Sequence, residues 1–250
     1  MEVLTLIPAR GGSKSVPRKN LLNLFGRPLI YWTIKVAMES KLISRIIVST
    51  DDDEIADIAQ SFKAEVIMRP PEFSGDYSRD FEFHYHSLQH LKNTEDYIPD
   101  YVVNLRPTVP YRKPEIINEA ITIFSKSPNA HSLRSVHLAE QTPYKMWKIG
   151  EGGFLETITN SISEKEPYNT PRQLLPIIYW QDGYIDITRP KIIFEMKSTT
   201  GNKILPFLID NPSQDIDYPD HIKKAENQII ESISKDNINR NTSKNLRHPS

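Results

Sequence analysis

Residues 7–20 read IPARGGSKSVPRKN and directly follow the apolar run Val3–Ile7. The run is short and β-branched, which predicts a buried strand. The pair Gly11-Gly12 permits positive φ angles and lets backbone N–H groups approach a ligand closely. We therefore predict a polyphosphate-binding loop, with a solvated basic loop as the alternative because neither standard glycine-rich phosphate motif fits. The loop carries four cations, Arg10, Lys14, Arg18 and Lys19.

Strand and helix patterns alternate outward from this loop through the first half of the chain. This alternation predicts an α/β fold with a mostly parallel sheet and helices on both faces. The predicted strands are Val3–Ile7, Arg45–Thr50, Glu65–Met68, Tyr101–Leu105 and, near the end, Pro206–Ile209. The predicted helices are Leu29–Met38 after Pro28, one capped by Asp51 and Glu54, Ser78–Leu91, Pro114–Phe124 and Tyr218–Ile230.

Three polar segments follow predicted strands: residues 8–23, 69–80 and 106–112. Ligands of open parallel sheets bind outside the carboxyl ends of the strands. We expect the three segments to meet on one rim of the sheet and to form the binding site there.

The second half of the chain is less regular. Residues 177–187 predict a hairpin with Asp182-Gly183 at its turn or bulge. The stretch of about 137–190 has patchy apolar content, which is typical of an arm that packs on a partner subunit. We expect one α/β domain over 1–230 and a polar, disordered tail over 231–250.

Composition excludes several classes of protein. The 250 residues carry 31 Lys and Arg against 32 Asp and Glu, without the basic excess of a nucleic-acid binder. Cysteine is absent, which rules out disulfide scaffolds, thiol catalysis and Cys-ligated zinc. No apolar run reaches the roughly 20 residues of a membrane span, and the N-terminus lacks signal-peptide features. We expect a cytoplasmic protein that binds no membrane.

Three acidic or histidine clusters could bind a metal. Asp215 and Asp217 are two residues apart, so an extended segment would aim both carboxylates to one face, as Mg²⁺ requires. Capping of the following helix is the alternative for this pair. We assign Asp51-Asp52-Asp53 to helix capping. His84, His86 and His90 are interpreted as helix-surface residues, since 84 and 86 do not share a face.

Six separated motifs occur in order between Leu4 and about Ile230. They are the 7–20 loop, GRPLI at 26–30, VSTD at 48–51, RP at 69–70 with LRPTVPYR at 105–112, PRQLLP at 171–176 and DID at 215–217. Together these motifs give the chain a resemblance to the CMP-sugar-acid synthetases, above all the acylneuraminate cytidylyltransferases. That family has a Rossmann-like nucleotidyltransferase fold with a protruding dimerisation arm. The resemblance implies an Mg²⁺-dependent transfer from CTP to a 2-keto sugar acid by a homodimer.

The resemblance also assigns roles to individual residues. The expected catalytic residues are Arg10 and Lys19, which would hold the triphosphate, and Asp217, which would bind metal with Asp215. The nucleotide would be contacted by Ser13 and Asn20, by the backbone of Ala9 and Gly12, and by Arg69 near the base or ribose. The sugar acid would be contacted by Arg106, Arg172 and Gln173, with Arg172 on its carboxylate.

Departures from the family pattern leave the acceptor open. Arg106 stands where the family usually has Gln, Arg18 where it often has Gly, and residues 179–184 resemble the usual NGAIY strand only loosely. Another nonulosonic acid, of legionaminic or pseudaminic type, is plausible, and the RPTVP segment disfavours KDO. Two alternatives remain: a sugar-1-phosphate nucleotidyltransferase that uses another NTP, with Arg106 on the acceptor phosphate, and a non-catalytic nucleotide-binding homologue.

Overall fold

A seven-stranded sheet forms the centre of the computed structural model, which describes residues 1–13, 16–75, 77–159, 161–162, 164–210 and 214–231. The sheet strands are β1 Val3–Pro8, β4 Arg45–Thr50, β5 Glu65–Met68, β6 Tyr101–Asn104, β7 Ser132–Leu138, β10 Tyr179–Thr188 and β11 Ile204–Leu208. Two small antiparallel pairs are β2 Asn23–Leu24 with β3 Arg27–Pro28, and β8 Trp147–Ile149 with β9 Leu155–Thr157. The helices are α1 Leu29–Glu39, α2 Asp53–Ser61, α3 Asp80–Glu95, α4 Pro114–Ser125, α5 Pro190–Met196 and α6, residues 219–231.

The sheet is mostly parallel, as predicted, in the order β11-β7-β10-β6-β1-β4-β5. Strand β1 pairs in parallel with β4 and β6, and β10 is antiparallel to both of its neighbours. The carboxyl ends of β1, β4, β5 and β6 therefore open on the same edge, where loops can converge on a ligand.

Helices cover both faces of the sheet because β1 and β6 are apolar on both sides. Val3 packs in one cluster with Phe124 of α4, whereas its neighbour Leu4 packs in another with Leu88 of α3 and Ile193 of α5. Among the described residues, none of the helices has the length and apolar character needed to span a membrane.

Several predictions of local structure were wrong. The predicted hairpin is one continuous strand, β10, whose register shifts between Gln181 and Asp186. Of the two alternatives predicted for Asp182-Gly183, the bulge is confirmed and the turn is wrong. Strand β7 and helix α5 were not predicted. The cap of α2 is Asp52, whose side chain accepts from Ile55 N–H, and not Asp51.

The predicted C-terminal tail lies largely outside the described residues, whereas most of the predicted arm is described. Helix α6 includes residue 231, which was predicted to belong to the tail, and the rest of the predicted tail, 232–250, lies outside the described residues. The β8–β9 hairpin within the predicted arm exposes apolar side chains, which include Trp147, Ile149, Phe154 and Leu155.

Candidate functional site

The three polar segments meet, as predicted, around one cavity of about 480 Å³, here called the basic cavity. Five cationic and two carboxylate side chains line it, which leaves a formal excess of positive charge suited to a polyphosphate. The lining residues are Pro8, Arg10, Ser13, Lys19, Asn20, Arg69, Gly75, Ser78, Arg79, Asp80, Phe83, Arg106, Pro107, Thr108 and Asp217.

The N-terminal loop is shaped by contacts with the start of α2. Gly11 N–H donates to Asp51 at 2.9 Å, and a Cβ on Gly11 would lie 2.5 Å from an oxygen of Asp52. Glycine is therefore required at position 11 because of this close approach. Neither Gly11 nor Gly12 has a positive φ; in this loop Arg18 does, with φ +54°. Arg18 pairs with Asp52 and Glu54 and is not among the residues that line the basic cavity. Lys14 lies outside the described residues.

Lys19 and Asp217 meet across the basic cavity although 198 residues separate them. The Lys19 ammonium donates to the Asp217 carboxylate at 3.2 Å, and the lysine is only 8% exposed. The adjacent Asn20 is anchored by donation to Arg10 C=O at 2.9 Å. A short 3₁₀ turn, Lys19–Leu21, aims both side chains inward.

Arg69 directly follows β5, contacts β4 and lines the basic cavity. Its guanidinium donates to the Ser49 carbonyl at 2.8 Å and the Ser49 hydroxyl at 3.2 Å, and it lies over the Phe83 ring. Burial lowers the pKa of Arg69 from its usual value. These contacts fix the residue in place beside the cavity.

Arg106 is held between two carboxylates. It pairs with Asp80 at the start of α3 and lies 3.4 Å from Asp186 of β10, which also pairs with Arg134 at 2.6 Å. Burial opposes the charge of Arg106, but Asp186 and Asp80 more than compensate and raise its pKa. Arg106 therefore stays protonated, and two carboxylates of the protein compensate its positive charge.

A second cavity of about 750 Å³, here called the acidic cavity, adjoins the first through Asp217. A smaller cavity of about 390 Å³ shares Asp182 and Asp215 with it and reaches Arg106. The acidic cavity is lined by His137, Trp180, Gln181, Asp182, Gln214, Asp215, Asp217, Lys224, Asn227, Gln228 and Glu231.

Asp215 and Asp217 are the candidate metal ligands. Within the described residues no set of three or more His, Asp or Glu side chains could hold a metal by itself. The pair nevertheless fits Mg²⁺, which takes few protein carboxylates and keeps waters or phosphates as other ligands. Asp215 Oδ1 is buried without a hydrogen-bond partner, and burial raises the pKa of this carboxyl.

Four predicted site residues lie off the lining of these cavities. Ala9 is buried and donates to Ser49 C=O at 3.0 Å, and Gly12 is exposed. Arg172 donates to Ala139 C=O at 2.9 Å, in an exposed 3₁₀ turn that also carries Gln173. The other predicted residues, Arg10, Ser13, Lys19, Asn20, Arg69, Arg106, Asp215 and Asp217, line one or more of the cavities.

Several charged residues of the site were not predicted as site residues. Asp80, Asp182 and Asp186 are the main ones, together with the buried Arg112. Asp80 and Arg112 belong to two of the predicted polar rim segments, so a signal existed. Asp182 belongs to the segment 179–184, which resembles a family strand only loosely, whereas no sequence signal marked Asp186.

His84 is a further correction. It was expected on the helix surface, but it is 2% exposed, with Nδ1 2.7 Å from Asp80 C=O. Desolvation lowers its pKa to about 4, so the ring is neutral.

A basic cavity at the carboxyl ends of a mostly parallel sheet defines an α/β protein suited to binding nucleotide phosphates. Residues 4–184 match the family model described as cytidylyltransferase, and the chain belongs to this family.

Named relatives agree with this membership. CMP-N,N'-diacetyllegionaminic acid synthase of Legionella pneumophila is 33% identical over 239 residues, which cover 94% of this chain and 99% of the relative. N-acylneuraminate cytidylyltransferase of Escherichia coli is 35% identical over 123 residues, which cover 49% of this chain but only 28% of that longer relative. The solved structure of CMP:2-keto-3-deoxy-manno-octonic acid synthetase complexed with CTP shares the fold, with a TM-score of 0.69 at 17% identity, and the match covers 93% of this chain and 100% of that one.

Proposed function

We propose that this chain transfers the CMP group of CTP to the anomeric hydroxyl of a nonulosonic, 2-keto sugar acid. The hydroxyl oxygen attacks the α-phosphorus, the bond from that phosphorus to the bridging oxygen breaks, and pyrophosphate and the hydroxyl proton are released. The observation that carries the proposal is the convergence of Arg10, Lys19, Arg69 and Asp217 on one basic cavity. The names of the relatives support CTP and a sugar acid as the substrates.

The chain's own residues would act mainly by position and charge. Arg10 and Lys19 would bind the triphosphate and stabilise the charge that develops on its oxygens. Asp215 and Asp217 would hold Mg²⁺, which when bound supplies further neutralisation of the phosphates. Lys19 would then exchange its present partner, Asp217, for a phosphate oxygen.

The sugar-1-phosphate alternative is weakened by the charges around the acceptor side. Its main support was a free Arg106, but Arg106 already has Asp80 and Asp186 as partners. The adjoining cavity carries four carboxylates and one lysine, which disfavours a doubly charged acceptor phosphate more than the single carboxylate of a sugar acid.

Pyrophosphate release with Mg²⁺ tests the proposal. We would cross CTP, GTP, UTP, ATP and TTP with N-acetylneuraminate, legionaminate, pseudaminate, KDO and hexose-1-phosphates. Release should require CTP and a nine-carbon keto acid. Release with a hexose-1-phosphate alone would contradict the proposed acceptor.

Lys19→Ala should lower kcat by about 100-fold or more, because a charge stabiliser of the transition state is lost. Lys41→Ala, at an exposed lysine that lines neither cavity, is the matched control and should retain full activity. Near wild-type turnover by Lys19→Ala would refute the catalytic assignment.

A further inference from the structure

The basic and acidic cavities adjoin each other but differ in charge. The acidic cavity is lined by four carboxylates, those of Asp182, Asp215, Asp217 and Glu231, against one lysine, Lys224. Its environment favours the parts of a ligand that donate hydrogen bonds over those that carry negative charge. If Asp215 and Asp217 bind Mg²⁺, Asp182 is the remaining buried carboxylate of the acidic cavity, and no role has been assigned to it.

Asp182 is held by one oxygen only. Oδ1 accepts from the Ser135 hydroxyl at 2.5 Å and from Tyr184 N–H at 3.0 Å, which fixes the carboxylate at the bulge of β10. Oδ2 is buried and has no hydrogen-bond partner among the described residues. The closest basic atom is His137 Nδ1 at 3.6 Å, which also lacks a hydrogen bond within the described part.

Such an arrangement is costly unless a ligand completes it. The Asp182 side chain is only 2% exposed, and a buried carboxylate oxygen without a donor loses its hydration without compensation. Asp182 lines both the acidic cavity and the small cavity that reaches Arg106, so the residue lies next to the phosphate site.

We infer that Asp182 determines acceptor specificity by accepting a hydrogen bond from an N–H or O–H substituent of the sugar acid. The inference rests on the proposed function and names the chemistry that its acceptor must carry. A site built around an acceptor oxygen strongly rejects analogues that lack the donor, since the buried oxygen then stays unpaired.

The experiment uses sets of sugar acids that differ at a single carbon of the sugar. At that carbon the substituent is amino, acetamido, hydroxyl or hydrogen, and the substituted carbon differs from one set to the next. In the wild type, kcat/KM should fall by about 100-fold or more when the recognised donor is replaced by hydrogen. The amino, acetamido and hydroxyl arms identify which donor is read. This comparison needs no variant and does not depend on the folding of one.

Asp182→Asn keeps an oxygen for Ser135 and Tyr184 but replaces the open oxygen by an N–H donor. It should raise the KM of the acceptor by about 10-fold or more and reduce the discrimination against the hydrogen analogue. The Kd of CTP, measured by calorimetry, should stay unchanged. Asp57→Asn makes the same chemical change at an exposed residue of α2 that lines none of the three cavities and should alter neither constant.

The outcomes separate the two proposals. If the wild type transfers CMP to no sugar acid, the proposed function fails. If it does transfer CMP, three results would each overturn the role of Asp182: unchanged discrimination in Asp182→Asn, an equal effect of Asp57→Asn, or a parallel loss of CTP affinity that indicates a scaffold role.

Discussion

At the scale of the residue, His84 provides a pH-dependent contribution to stability. A carbonyl only accepts, so the contact with Asp80 C=O places the proton on Nδ1 of a neutral ring. The folded pKa of His84 is about 4, below the value of an unfolded histidine. Between pH 6.5 and 4 the unfolded chain therefore binds a proton that the folded chain does not, and stability falls as pH drops through this window.

His84→Gln should remove up to about 3 kcal/mol of the stability change between pH 6.5 and pH 4, because the glutamine does not titrate. Urea denaturation at closely spaced pH values measures it. His90→Gln, at an exposed histidine of the same helix, should leave the profile unchanged. An identical pH profile for His84→Gln and the wild type would contradict the prediction.

Residues of the site were predictable where a local motif carried them. Lys19, Arg69 and Asp217 follow strands or precede a helix, so their rim position could be inferred before their contacts were known. The burial of Asp182 was not predictable, since it depends on how β10 pairs with β7, more than 40 residues away.

At the scale of the element, Arg112 joins the loop before α4 to the bulge of β10. Its guanidinium donates to Tyr184 C=O at 2.6 Å, Arg106 C=O at 2.9 Å and Gly183 C=O at 3.3 Å. Burial lowers the pKa of Arg112 to about 10. One buried side chain thus holds a loop of the basic cavity against the strand that carries Asp182.

Arg112→Met should lower the free energy of unfolding by at least about 2 kcal/mol, because several buried carbonyls lose their donor. It should also weaken binding of both substrates, since both cavities lose a shared support. Urea denaturation and calorimetry with CTP measure the two effects. Arg27→Met, at an exposed arginine, serves as the control, and wild-type stability of Arg112→Met would refute the structural role.

The elements themselves were predicted unevenly, for a physical reason. Strands β4 and β5 match their predicted bounds because each is a short apolar run between polar loops. Strand β10 carries a bulge with Gly183 at φ +68°, and this local signal is the same as that of a hairpin turn. Only its pairing with β6 and β7 on opposite sides distinguishes the two.

At the scale of the whole molecule, the exposed apolar surface of the arm predicts a homodimer. Ile149 and Phe154 are each 78% exposed, and several neighbours in the arm are also apolar and open to solvent. A cluster of this kind is typical of a subunit interface. Ile149→Asp combined with Phe154→Asp should shift a dimer to monomer in sedimentation equilibrium, whereas Met38→Asp, at an exposed methionine of α1, should not.

The dimer would also explain the position of Arg172, which lies off the cavities of its own chain. In a dimer, the arm of a second copy would bring Arg172 to the substrate that it is predicted to contact. Lys19→Ala and Arg172→Ala chains should then each be inactive alone and regain about a quarter of wild-type activity when mixed and reassembled. About half of the reassembled dimers contain one chain of each kind, and one of the two sites in such a dimer has both native residues. No recovery in verified mixed dimers would place the action of Arg172 within its own chain, and a monomeric wild type would contradict the dimer itself.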